Sequence, residues 1–108
     1  MAVIIKVATE YSKTPGGRTR KDGPYSGEDF RETILIPKYE EAKKTGEQLI
    51  VDLDGGYGYG TSFLEEAFGG AARKLGDKDL RKILVISKEE PKLSDDVSYY
   101  IDSALKEK

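Results

Sequence analysis

Residues 55–70 read GGYGYGTSFLEEAFGG and set two hydroxyls, Thr61 and Ser62, directly behind a glycine-rich turn carrying Tyr57 and Tyr59. Such a stretch can be a ligand cradle, a phosphorylation switch or a tight strand-to-helix turn. Ser62-Phe63-Leu64-Glu65 has the spacing of a capping box, in which the serine oxygen accepts from the amide of Glu65 and Glu65 reaches back to the amide of Ser62. A helix start also offers free amides and a positive dipole end that would stabilise an added phosphate. A phosphate on Ser62 would break the box and stand beside Glu65 and Glu66, and that repulsion could release a partner. The glycines run G-x-G-x-x-x rather than the G-x-G-x-x-G of dinucleotide-binding turns, and no Walker Lys-Ser/Thr follows. The turn therefore reads as one where glycine permits positive φ and close backbone approach, with Tyr57 and Tyr59 covering it or offered to a partner.

Two charged groups flank this stretch. Arg18, Arg20, Lys21 and Arg31 gather near the start of a first helix, and guanidinium groups favour carboxylate or phosphate partners. Folded toward the turn, they could meet Asp52, Asp54 or a phosphorylated Ser62. Asp52 and Asp54 stand two apart at a strand end and hence on one face, where carboxylates can hold magnesium, do acid-base work or cap turn amides. The candidates for partner or ligand contact are Arg18, Arg20, Asp22, Ser26, Arg31, Asp54, Tyr57, Tyr59, Gly60 and Glu65, with Thr61 and Ser62 as candidate phosphoacceptors.

Composition removes several alternatives. The 108 residues contain no cysteine and no histidine, which excludes thiol nucleophiles, disulfide frameworks, Ser-His-Asp catalysis and the commonest zinc arrangements. No catalytic residue, metal site or cofactor is expected. With 18 basic and 20 acidic residues the formal charge is −2, so no global field draws the chain to nucleic acid or an anionic membrane. No apolar run approaches a membrane span or a signal h-region, which predicts a cytoplasmic protein.

The elements that must position these residues follow from periodicity. Residues 2–8, AVIIKVA, read as a buried first strand, and residues 14–27 as a loop or a short exposed hairpin around Lys21-Asp22-Gly23-Pro24. Ser26 is a helix N-cap followed by Glu28 and Asp29, Phe30, Ile34 and Leu35 supply an apolar face, and Pro37 predicts a kink or a restart before a stop at Gly46. Residues 49–54, LIVDLD, are apolar enough for a central strand covered on both faces. Phe63, Leu64, Ala67, Phe68, Ala71 and Leu75 mark one face of a helix from Ser62 to Gly76, and its Gly69-Gly70 pair implies close packing against the sheet or a neighbouring helix. Residues 82–87 form a third strand. Val97, Tyr100, Ile101, Ala104 and Leu105 stripe a last helix capped by Ser94. Strands alternating with helices over one domain's length, residues 1–108, predict an α/β fold with a mostly parallel sheet and right-handed crossovers.

The strings GRTRKDGPYSGEDFR (residues 17–31), LIVDLDG (49–55) and GYGTSFLEEAFGG (58–70) closely resemble the STAS-like family of unknown function, DUF4325-type, over roughly residues 15–87. Through that family the chain is distantly similar to the STAS domains of anti-sigma factor antagonists. There a strand ends in an Asp-Ser-Ser/Thr-Gly-Leu turn whose hydroxyl opens the next helix and is phosphorylated by an ATP-binding partner. The resemblance implies a STAS-like α/β fold, a non-enzymatic regulatory role, and an ATP-binding kinase or anti-sigma-like protein as partner. It also implies that Thr61-Ser62-Phe63-Leu64 stands in the place of Ser-Ser-Gly-Leu. Gly60 replaces the aspartate, Phe63 replaces the glycine, and Gly-Tyr-Gly-Tyr-Gly lengthens the turn. A small-ligand or phosphate-binding domain using Arg18, Arg20 and the amides of residues 60–64 is the alternative, and an inhibitor of a host complex of phage type is a further one.

Overall fold

The structure, a computed structural model, describes residues 2–107. Strands β1 (Ala2–Lys6), β2 (Gln48–Asp52) and β3 (Leu84–Ile86) form a parallel sheet in the order β1-β2-β3, with Ile4 opposite Ile50 and Ile50 opposite Leu84. This is the expected α/β, STAS-like architecture. Strands β1 and β2 end two residues earlier than the sequence suggests, β2 begins one residue sooner, and β3 is shorter at both ends. After Lys6 the chain turns into a single helical turn, α1 (Val7–Glu10), because Glu10 accepts from the Lys6 amide and the amides of Tyr11 and Ser12 both reach the Val7 carbonyl.

Strand order decides where the helices lie. Both crossovers step in the same direction across the sheet, so right-handed connections bring them to one face. On that face Ile5, Leu49, Val51 and Val85 are buried. Alternate residues point the other way, and Ile4 (49% exposed), Leu84 and Ile86 stand open. The expectation that β2 is covered on both faces is thus overturned: Leu49 and Val51 are buried, and the other face carries Gln48, Ile50 and Asp52.

Helix α2 (residues 27–45) and helix α3 (residues 61–75) share an uncommon build. Each starts as α-helix and passes through a π-helical turn, Arg31–Leu35 and Glu65–Gly69 respectively, before continuing as α-helix. In α2 the cause is Pro37, whose ring would clash with the carbonyl four residues back in a regular helix. The widened turn, in which the Ile36 amide reaches back to the Arg31 carbonyl, is the form that the kink or restart expected at the proline takes, and the helix runs on through it. The helix then ends at Gly46, in the left-handed conformation expected of it (φ 72°). A 3-10 turn (Lys78–Lys82) leads into β3, and helix α4 (Lys92–Lys106) closes the chain with Val97, Ile101 and Ala104 buried. Ser94 does not cap it. The helix begins two residues earlier behind Pro91, whose ring holds the φ of −56° that a helical turn requires.

The core lies between the helices and the covered face of the sheet. Its centre is Phe30 of α2 flanked by Phe63 and Phe68 of α3, at ring-centroid distances of 5.7 Å and 6.3 Å. These aromatic contacts join α2 to α3 and bring the 14–27 loop alongside the segment that follows β2.

Candidate functional site

The turn from Gly55 to Gly60 leaves the carboxyl end of β2 and delivers the chain to α3. It crosses the left-handed half of backbone space at Gly55 and Gly58 (φ 93° and 127°), as its composition anticipates. Asp54 fixes its base from below. The Asp54 carboxylate accepts from Ser87 Oγ and from the amides of Lys88 and Glu89 at 2.8–3.0 Å, which holds its pKa below the ordinary value. Asp52 in turn accepts from the Asp54 amide. Both aspartates cap turn amides, the third of the roles open to them.

Opposite the turn stands the segment after β3. Glu89 accepts from the Gly55 amide at 2.6 Å, and Ser87 Oγ accepts from the Glu90 amide at 2.9 Å. Between the two segments opens a cleft of about 230 Å³, lined among others by Leu53, Tyr57, Tyr59, Glu89, Glu90 and Leu93. Tyr57 is 82% exposed at its rim. Tyr59 lies inward against Phe63, and its hydroxyl is buried without a hydrogen-bond partner. Burial and the neighbouring Asp52, Asp54 and Glu89 push the Tyr59 phenol up to about 12. Ser87, Glu89, Glu90 and Leu93 were not singled out by their types. Their signal is positional, since the end of β3 adjoins that of β2 in a parallel sheet.

Thr61 and Ser62 are both exposed in the first turn of α3. The capping box does not form. The helix starts at Thr61, its N-cap is Gly60, and no side chain caps it. Glu65 turns away to Arg73 (2.6 Å) and Arg18, because ion-paired hydrogen bonds to two guanidinium groups outweigh one to a neutral amide. Arg73 first and Arg18 second hold the Glu65 carboxyl below its ordinary range.

The remaining candidates assemble a different region, the seam between α2 and α3. Arg31, almost buried, places Nη1 2.6 Å from the Glu66 carboxylate and 2.9 Å from the Glu66 carbonyl. That carbonyl is free because the Gly70 amide, inside the π turn, donates to Glu65 and Ala67 and passes over Glu66. A side chain at Gly70 would collide with the Arg31 guanidinium, and one at Gly27 would stand 2.6 Å from the Phe63 carbonyl and 3.1 Å from the Ala67 amide. The close packing expected at Gly69-Gly70 is therefore a passage for the side chains of Glu65 and Arg31 as much as a helix contact. Arg18 bonds Glu65 and Glu66, Arg20 bonds Asp29, and the Asp22 carboxylate takes the amides of Arg18 and Thr19. Ser26 caps α2 as expected, accepting from the Asp29 amide, and is fully buried. The arginines thus converge on carboxylates of the two helices and not on Asp52 or Asp54.

The parallel sheet with helices on one face and a hydroxyl pair at the start of the helix after β2 defines a STAS-like domain. The chain belongs to the STAS-like domain family of unknown function (DUF4325), whose model matches residues 26–93. That span holds α2, β2, the glycine-rich turn, α3 and β3. Neither the curated proteins nor the solved structures contain a match. Among the described residues, no group of acidic side chains is arranged to hold a metal ion, and no helix is long and apolar enough to cross a membrane.

Proposed function

We propose that this is a non-enzymatic regulatory domain that binds a protein partner through the end of the sheet bearing the glycine-rich turn, and that Ser62 or Thr61 is the phosphoacceptor that switches the contact. The supporting observation is the state of the two hydroxyls: both are exposed in the first turn of α3, and neither is spent on capping it. Tyr57, in the turn that leads to them, is exposed and supplies an amphipathic contact of the kind that anchors protein interfaces. The family's likeness to anti-sigma factor antagonists makes an ATP-binding kinase or anti-sigma-like protein the partner class, in the cytoplasm.

A phosphate on Ser62 would lie three and four residues before Glu65 and Glu66. It would repel both carboxylates and compete with them for Arg18, which is partly exposed and able to swing. Such an exchange would loosen the 14–27 loop from α3 and alter the surface a partner meets. The anion-binding alternative is weaker, since Arg18 and Arg20 are already occupied by Glu65, Glu66 and Asp29. The test is incubation with the ATP-binding protein of the native host and ATP, followed by mass spectrometry. A phosphate on residue 61 or 62, together with a complex lost in Ser62→Asp and kept in Ser62→Ala, supports the switch. No modification and an indifferent Ser62→Asp variant would end it.

A further inference from the structure

Strand β3 is an edge of the sheet, and its outer side is unpaired. The register with β2 and the bond from the Leu53 amide to the Ile86 carbonyl turn the backbone groups of Leu84 and Ile86 toward β2, so those of Val85 face away. Along that outer side the Ile83 carbonyl, the Val85 amide and carbonyl and the Ser87 amide have no hydrogen-bond partner among the described residues. The opposite edge differs, since Glu10 takes the outward Lys6 amide. Between the approach to β3 and α4 opens a groove of about 420 Å³, lined among others by Arg81, Ile83, Val97, Ser98, Ile101 and Asp102. Helix α4 packs on α3 with the Tyr100 carbonyl close to Gly69. Ser98 and Asp102 stand two residues to either side of Tyr100 and hence across the helix, on the flank turned away from α3. Helix α2 bridges β1 to β2 and α3 bridges β2 to β3, while α4 reaches past β3 over a position where the sheet has no strand.

We infer that this edge accepts an extended segment of another protein as a fourth strand, with apolar side chains of the segment entering the groove beside α4. The unpaired amides and carbonyls recur at strand spacing, the pattern that an added backbone completes. Side chains alternate across such a strand. Every second one would meet Ile83, Val97 and Ile101 in the groove, and the others would lie beside Leu84 and Ile86 on the open face. The fitting segment is therefore extended, rich in β-branched residues, and aliphatic on the side that faces the helices. A second copy fits poorly. Its β3, paired antiparallel to this one, would carry its own α4 to the same face and over the position that α4 already overhangs. None of these residues belongs to the glycine-rich turn, and the inference stands whether or not Ser62 is phosphorylated.

The experiment is a titration of the isotope-labelled protein with the blocked peptide Lys-Thr-Val-Thr-Val-Thr-Lys, followed by amide chemical shifts and amide hydrogen exchange. A second arm uses the same peptide N-methylated at its five central residues, which keeps the side chains and removes the amides. Saturable shifts at residues 83–87 and 95–102 are expected, with exchange of the Val85 amide slowed by about tenfold or more at saturation. The N-methylated peptide should bind about tenfold more weakly or worse. Ser98 is exposed at the rim of the groove, so Ser98→Arg should keep the fold while obstructing the groove and weakening binding about tenfold, whereas Ser98→Ala should leave it unchanged. No saturable response at millimolar peptide, equal binding of the N-methylated form, shifts confined to β1 or the glycine-rich turn, or an affinity indifferent to Ser98→Arg would overturn the inference. Protection of the Val85 amide that rises with protein concentration alone would give the edge to a second copy and overturn it as well.

Discussion

The middle and the beginning of α3 are a few residues apart and built on opposite terms. In the middle, around Glu65–Gly70, polar groups find partners inside the molecule. The carbonyl released by the π turn takes Arg31, Glu65 takes Arg73 and Arg18, and glycines leave the room those side chains need. At the beginning, Gly60 supplies no cap, Thr61, Ser62 and Tyr57 face solvent, and the Tyr59 hydroxyl is buried without a partner. Buried polar groups left unsatisfied cost stability, so the first region reads as one that holds the fold and the second as one kept for contact. A sequence string that looks uniform thus contains a structural half and a functional half.

The largest expected effect tests the structural half. Gly27→Ala drives a methyl into the backbone of α3 and should cost about 3 kcal/mol in urea unfolding, in the upper range for overpacking. A cost below that of an ordinary surface change would mean that the two helices are not in the close contact described. Next, Arg31→Ala leaves the Glu66 carbonyl and carboxylate without their buried donor and should cost about 2 kcal/mol. In that background Gly70→Ala should change sign, from destabilising to stabilising by about 1 kcal/mol, because the obstacle is gone and helix propensity remains. Additivity of the two changes would break the link between the glycine and the guanidinium.

Glu65→Gln should cost about 1 kcal/mol at neutral pH, and its effect has a pH signature. The Glu65 pKa is lowered in the folded state from an ordinary value of 4.5, chiefly by Arg73. Its contribution is therefore full above that value and is lost as pH falls through the lower folded value, so the variant and the parent should converge in strong acid. A difference that persists unchanged into acid would show that the ion pairs are not its source. In the contact half the expectations reverse. Tyr59→Phe removes an unsatisfied hydroxyl and should raise stability by about 0.5–1 kcal/mol. Tyr57→Ala should change stability by less than about 0.5 kcal/mol while weakening partner binding. A large loss of stability in either tyrosine variant would place the turn with the structural half after all.

Much of the fold was legible because it rests on local rules. Alternating strands and helices, Ser26 as N-cap, the stops at Gly46 and Gly76, and the stripe on α4 each depend on residues within a few positions of one another. The failures depend on partners far along the chain. Ser62-Phe63-Leu64-Glu65 has the spacing of a capping box, yet Arg18, 47 residues away, draws off the carboxylate, as Arg73 does from within α3. The apolar run of β2 reads as buried on both faces, but a strand cannot record on which side its crossovers will lie. Of the site residues, the glycine-rich turn and its hydroxyls were visible. Glu89 and Glu90 were not, since only parallel pairing brings the end of β3 beside the end of β2.

By itself, then, the sequence determined the family, the order of elements, and a turn of glycine, tyrosine and hydroxyl residues at the end of a strand, because composition and spacing set backbone preference locally. The tertiary structure alone decided which charges would be spent. Arginines that sequence placed near a possible phosphate were committed to carboxylates of α2 and α3, and carboxylates with no assigned role were left facing a cleft. A guanidinium bonds whichever acceptor the fold brings within about 3 Å, and that distance is a property of packing and not of spacing along the chain.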